Sequence, residues 1–178
     1  MDHGDHVALL RPAVGPGGSW ADVGAGGGAF TLALADLLGP GGRIVAVDRN
    51  GGALRSNEAA VLGRFPASAL TTVTADFTRQ IAGLADLDGL VAANSLHYVP
   101  RDRQMEVVRA LAGHLRPGGR FVVIEYDADR GNPWVPHPIS YPSWERLAAA
   151  AGLVDTRRIG RVPSRFLGAI YSAESRRP

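Results

Sequence analysis

Cysteine and lysine are both absent from the 178 residues, and the two absences remove whole classes of chemistry. Without cysteine there is no disulfide, no thiolate nucleophile and no cysteine metal site. All nineteen basic residues are arginine, whose very high pKa forbids the Schiff-base role open to lysine, and the P-loop lysine is excluded too. No window approaches the roughly 18 apolar residues of a membrane span. The opening Met1-Asp2-His3-Gly4-Asp5-His6 has no basic region leading into an apolar run, so a soluble, cytoplasmic chain without a membrane partner is expected. The formal net charge is only +2, and an arginine bias beside abundant Ala and Gly reads as compositional, so no nucleic-acid partner is expected.

What is present is an alternation of apolar runs and amphipathic segments. Ser19 to Val23, Arg43 to Val47, Leu70 to Ala75, Leu87 to Ala93 and Arg120 to Tyr126 read as buried strands. Helices are expected at Asp5 to Val14 within an N-terminal region 1–17, and at Ala29 to Leu38, Gly51 to Leu62, Arg101 to Leu115 and Tyr141 to Ala151. The helix from Arg101 is expected to stop at Arg116-Pro117-Gly118-Gly119. Two further strands, Thr156 to Val162 and Phe166 to Ala173, are joined by a Pro-Ser turn too short for a crossover. Residues 1–178 are thus expected to form one α/β domain, a three-layer sandwich around a mostly parallel seven-stranded sheet with an antiparallel last strand.

In open α/β sheets, ligands sit beyond the carboxyl ends of the strands. Every parallel strand here ends in polar residues: Asp22 before Gly24-Ala25-Gly26-Gly27-Gly28, Asp48-Arg49, Asp76-Phe77, Asn94-Ser95 and Glu125-Tyr126-Asp127. Gly24, Gly26 and Gly28 can take positive φ and let amides approach a ligand closely. Asp48 stands 24 positions after Gly24, where a carboxylate accepts hydrogen bonds from ribose hydroxyls. Asp76 can accept from an adenine amino group, with Phe77 against the base. Asn94 and the loop amides suit an ammonium and carboxylate pair, to which Asp22 adds negative charge. Each residue has a plain alternative: a tight turn for the loop, a turn or cap for Asp48 and Asp76, and a structural role for Asp22.

The combination resembles class I S-adenosylmethionine-dependent methyltransferases over about residues 18 to 173. The likeness is carried by Ala21-Asp22-Val23-Gly24-Ala25-Gly26-Gly27-Gly28, Val45-Ala46-Val47-Asp48, Thr74-Ala75-Asp76-Phe77, Ala93-Asn94-Ser95-Leu96-His97-Tyr98 and Leu115-Arg116-Pro117-Gly118-Gly119-Arg120-Phe121. The resemblance implies a Rossmann-like fold and S-adenosylmethionine as cofactor. It assigns the methionine portion to the first segment, ribose to Asp48, and adenine to Asp76 and Phe77. Gly24-x-Gly26-x-x-Ala29 also satisfies a dinucleotide fingerprint, so an NAD-dependent oxidoreductase is the rival, and a non-catalytic binding protein of the same fold is the third reading.

If the acceptor must lose a proton, His97 is the candidate base, with Tyr98, Glu125, Tyr126 and His137 behind it; the alternative for His97 is a packed histidine. No cysteine is available for cytosine C5 chemistry, and Asn94-Ser95-Leu96-His97 is not an Asn-Pro-Pro-Tyr type of motif, so a small-molecule methyl acceptor is expected. Its wall is expected from the segment 127–142, with Trp134 and Tyr141, or from a second subunit in a homodimer. Arg157, Arg158, Arg161 and Arg165 suit either an anionic acceptor or a solvated sheet edge. His3, Asp5 and His6 lack a fixed ligand geometry, and no metal is expected.

Overall fold

The computed structural model describes residues 1–164 and 166–178. Its seven strands form one sheet in the order β3-β2-β1-β4-β5-β7-β6. They are β1 (Gly18–Val23), β2 (Gly42–Asp48), β3 (Ala69–Thr74), β4 (Leu87–Ala93), β5 (Leu115–Tyr126), β6 (Val154–Pro163) and β7 (Ala169–Arg176). β1 to β5 pair in parallel, whereas β7 is antiparallel to both β5 and β6. The chain builds outward from β1 to β3 and then returns to lay β4 on the other side of β1. This reversal of strand order opens a crevice above the carboxyl ends of β1 and β4.

The central strands are apolar because both faces are covered. Phe121, Val122, Val123 and Ile124 of β5 are all fully buried, as expected for a parallel strand between helix layers. One core gathers side chains from α1 (His3–Leu10), α2 (Ala29–Leu38) and Val61 of α3 (Gly51–Arg64). The other is filled from α4 (Arg101–Ala112) and α5 (Tyr141–Ala150), with Trp144 wholly enclosed. The β3 to β4 connection, residues 75–86, contains no helix and contributes Ile81 and Leu84 as its buried plugs. That side of β2 and β3 is accordingly covered thinly, and Val45 and Val73 stay partly exposed.

Several boundaries differ from the sequence reading for identifiable reasons. The first helix starts at His3 because Asp2 and Asp5 form a reciprocal capping box, and it ends at Leu10, just before Pro12 interrupts the helix. Arg116-Pro117-Gly118-Gly119 is not a helix stop outside the sheet but an outward excursion inside β5. Pairing there jumps from Leu87↔Leu115 to Gly89↔Arg120. The last strand starts at Ala169, not Phe166, because Ser164 N–H donates to the Gly168 carbonyl and Gly168 takes φ +68°. Ser164 and residues 166–168 are therefore outside the strands, and Phe166 is 67% exposed.

Trp20 and Gly89 are register partners on β1 and β4. The indole covers the glycine so closely that a Cβ on Gly89 would lie 2.3 Å from the ring. Gly89→Ala must displace a buried Trp from the core, and overpacking of this kind costs about 1 to 3 kcal/mol. Urea denaturation should show a lower midpoint for Gly89→Ala; an unchanged midpoint would mean that Trp20 repacks freely.

Candidate functional site

The glycine loop is held against the end of β4. Gly24 has φ +72°, and a Cβ there would stand 2.5 Å from Ser95 Cβ and 3.3 Å from the Phe77 ring. Gly28, at φ +93°, is equally hemmed in by Asn57. Both positions therefore require glycine for shape as well as for backbone conformation. Gly26 has open space around it, so only its φ of +51° favours glycine.

The loop amides are largely committed within the protein, unlike the sequence expectation. Gly24 and Ala25 N–H both donate to the Val47 carbonyl, Gly28 N–H donates to Ala25, and Gly26 N–H donates to Asp48 Oδ2 at 2.9 Å. The Thr31 amide bonds the Asp22 carboxyl, whereas Gly27 N–H has no partner among the described residues, and the Ala29 and Phe30 amides at the start of α2 have none within the helix. The donors that can face a ligand are these, supported by the positive end of the α2 dipole.

Asp22 is completely buried and accepts a 2.6 Å hydrogen bond from Thr31 Oγ1, which in turn accepts from Asn57 Nδ2 at 2.8 Å. Loss of hydration pushes its carboxyl up to about 6 against the Thr31 bonds, with the nearby Asp48 charge adding to the rise. Asp48 Oδ1 accepts from Asn50 N–H at 2.8 Å, so the carboxylate organises the β2 turn while retaining lone pairs. Asp76 accepts from both the amide and hydroxyl of Thr78, which hold its pKa below the usual carboxylate range. The capping alternative for Asp76 is thus realised. Asn94 adopts φ +49°, and its Oδ1 and Ser95 Oγ are buried without a hydrogen-bond partner among the described residues.

Three cavities adjoin these residues in a row. The first, about 240 Å³, brings together Arg49, Asp76, Phe77, Tyr98 and Arg103. The second, about 510 Å³, lies over Asp22, Gly24, Ala25, Gly28 and Asn94, with His6 from α1 on its wall. Phe77 packs at Gly24, between the first two. The third, about 530 Å³, shares Asn94 and extends along Tyr126, Val162, Phe166 and Ile170 to Met1 and Asp5. His6, Arg103, Phe166 and Ile170 escaped the sequence reading. Nothing in their local pattern distinguishes them from ordinary helix or hairpin residues.

His97 lies in the 3-10 turn Leu96–Tyr98 after β4 and is buried. Its Nδ1 is 2.9 Å from Glu125 Oε2, and its N–H donates to Glu125 Oε1 at 3.1 Å. Tyr126 packs edge-on against the imidazole at 5.7 Å. Glu125 is itself fully buried. With Nδ1 turned to the Glu125 carboxyl, Nε2 is the ring nitrogen without a hydrogen-bond partner among the described residues.

The segment 127–142 does not line any of the three cavities. Asp129 accepts from Ser140 and Ser143, His137 N–H donates to the His97 carbonyl, and Trp134 stands 71% exposed. The hairpin arginines are also engaged: Arg157 with Glu174, Arg158 over the Tyr141 ring and Arg161 with Asp127. β6 forms the sheet edge, as the solvated-edge reading had it; Arg165 lies outside the described residues. His3 bonds Asp36, Asp5 caps α1 and His6 stacks on Phe30, so the three go to separate partners. Among the described residues, no helix is long and apolar enough to cross a membrane.

The Asp22 geometry fixes the sign of a pH effect. A folded-state pKa raised from 3.8 to about 6 means that its contribution is most favourable below the unfolded value and is lost as pH rises through about 6. The loss is on the order of 3 kcal/mol. Asp22→Asn preserves an acceptor for Thr31 but cannot ionise. Stability curves of the two proteins should converge near pH 4 and separate by pH 7.5 in favour of the variant; parallel curves would refute the assignment.

A sequence model described as a methyltransferase domain matches residues 21–121, more than half of the chain. No curated protein matches significantly. Among solved structures, 1,6-didemethyltoxoflavin-N1-methyltransferase of Burkholderia thailandensis, with 1,6-didemethyltoxoflavin and S-adenosylhomocysteine bound, superposes with a TM-score of 0.77 at 22% identity. The match covers 100% of this chain and 79% of that one. The N-methyltransferase NodS of Bradyrhizobium japonicum, in complex with S-adenosylhomocysteine, gives 0.71 at 20% identity, covering 99% and 85%. The S-adenosylmethionine-dependent methyltransferase SibL gives 0.74 at 21%, and this chain spans 54% of its length. At these identities the structural likeness is one of fold.

Proposed function

Because the chain belongs to the methyltransferase domain family, we propose that it transfers a methyl group from S-adenosylmethionine to a small-molecule acceptor held beside Tyr126. The observation that carries this reading is that the Gly24 loop, packed against Phe77 of the first cavity, lines the second cavity, which shares Asn94 with the third. The residues present fit the cofactor: two orphaned buried oxygens, on Asn94 and Ser95, and a loop in which Cβ atoms at Gly24 and Gly28 would clash. In this reading Asp76, Phe77 and Arg49 form the adenine end, Asp48 meets the ribose, and Asn94, Ser95 and the Gly27 amide receive the amino acid tail. Asp22 remains beneath them as the buried anchor of the loop.

When bound, S-adenosylmethionine supplies an electrophilic methyl on sulfur, for in-line displacement in which alignment and exclusion of water supply most of the acceleration. The chain positions the acceptor and, where a proton must leave, accepts it. In this reading His97, which is buried and lines none of the three cavities, takes that proton on Nε2 while Glu125 holds the ring through Nδ1. Val162, Phe166 and Ile170 give the third cavity an apolar wall, against which Asp5, Asn94 and Tyr126 supply polar contacts. A compact, mostly apolar acceptor bearing one hydroxyl or amine suits this lining. We thus place the acceptor wall on the β6–β7 turn in preference to Trp134.

Calorimetric titration with S-adenosylhomocysteine and, separately, with NAD separates this reading from the oxidoreductase alternative. S-adenosylhomocysteine should bind and NAD should not, and Asp48→Ala should weaken the former by about 10- to 150-fold through lost charge-assisted bonds. NAD binding alone would reverse the conclusion.

An acceptor screen followed by kinetics tests the division of labour and the non-catalytic alternative together. With an acceptor that must be deprotonated, His97→Asn should lower kcat by roughly 10² to 10⁴. Phe166→Ala should chiefly raise KM, and Trp134→Ala should change neither. A loss of turnover in Trp134→Ala with Phe166→Ala unaffected would return the acceptor wall to the 127–142 segment.

A further inference from the structure

A fourth cavity, about 520 Å³, lies at the other end of the sheet, where β1, β4 and β5 begin and β7 ends. Arg116, Arg120 and Arg176 all line it, together with Asp88 and the turn through Gly17 and Gly18. Arg120 and Arg176 are direct antiparallel partners on β5 and β7, so their side chains leave the same face of the sheet side by side. Like charges in directly opposed cross-strand positions are destabilising.

The surrounding groups compensate this charge only in part. Asp88 is shared between Arg116, at 2.8 Å, and the Ser19 amide, at 2.7 Å. Buried Glu174 takes Arg157 at 3.1 Å and leaves Arg176 at 3.7 Å, beyond a hydrogen bond. Arg120 donates to the Ala13 carbonyl, an uncharged acceptor. Two carboxylates set against Arg116, Arg120, Arg157 and Arg176 leave an excess of two guanidinium groups. Most N–H donors of Arg120 and Arg176 have no partner among the described residues.

We propose that this cleft binds a phosphate-class dianion, either free or carried on a small molecule. Planar guanidinium forks match phosphate oxygens bidentately, and a dianion between Arg120 and Arg176 would turn their repulsion into shared attraction. The adjacent turn holds Gly17 at φ +77° and Gly18 at φ +86°, which keeps that wall free of side chains. The proposal is independent of methyl transfer, because none of these residues lines the three cavities at the opposite end of the sheet.

Calorimetric titration of the full chain with inorganic phosphate, pyrophosphate and a single-stranded oligonucleotide, at constant ionic strength, tests it. Pyrophosphate should saturate one site, with phosphate competing. Arg120→Gln/Arg176→Gln should bind it at least about tenfold more weakly while keeping its affinity for S-adenosylhomocysteine. Asp88→Asn, which removes the negative charge from the rim, should bind pyrophosphate more tightly and serves as the deciding variant if the double substitution does not fold. Absence of saturation, equal affinity in Arg120→Gln/Arg176→Gln, weaker binding in Asp88→Asn, or a preference for the oligonucleotide over pyrophosphate would each overturn the assignment.

Discussion

The close contact between the Gly24 loop and the end of β4 is the constraint on which the rest of the site depends. β1 and β4 are sequence-distant strands made neighbours by the reversal of strand order, and their carboxyl ends must converge without a side chain between them. Gly24 meets that condition only by carrying no Cβ, since Ser95 occupies the space one would fill. The same contact brings Phe77 to the loop and sets Asn94 at the junction of the second and third cavities. A change in that spacing would move the walls of the second and third cavities together.

Beneath the loop, Asp22, Thr31 and Asn57 form a buried polar chain joining β1, α2 and α3. Burying a carboxylate is costly, and its raised pKa shows that the chain offsets the cost only partly. In return, the loop has a fixed floor. Asp48 works from the other side by taking the Gly26 amide, so two acids separated by 26 positions brace one short turn from below and from the side.

Much of this was legible in the sequence wherever backbone chemistry is local. Buried parallel strands are continuous apolar runs, and Leu87–Ala93 was delimited without error for that reason. Asp22, Asp48 and Asn94 stand out because they sit where such runs end. The glycines were recognised as loop formers, yet their amides were expected to face a ligand. Whether an N–H points to a ligand or to Val47 is decided by tertiary closure, which spacing does not encode. The His97 and Glu125 pairing joins residues 28 positions apart on neighbouring strand ends, visible only once β4 and β5 are aligned. The 127–142 segment has the length and aromatics that suggest a binding loop. Its Asp129, Asn132 and His137 hydrogen bonds instead make it a brace between α4, α5 and the turn after β4.

The late reversal of β7 has a consequence for how this fold can diversify. It creates a hairpin whose connection places Ser164 and Phe166 on the third cavity, while none of its described residues lines the glycine-loop or Asp76 cavities. Insertions or substitutions there alter one wall of one chamber and leave the cavities lined by the glycine loop and Asp76 as they were. The antiparallel strand thereby acts as a boundary: a change at the hairpin tip leaves the contacts packed at the β1 and β4 convergence in place.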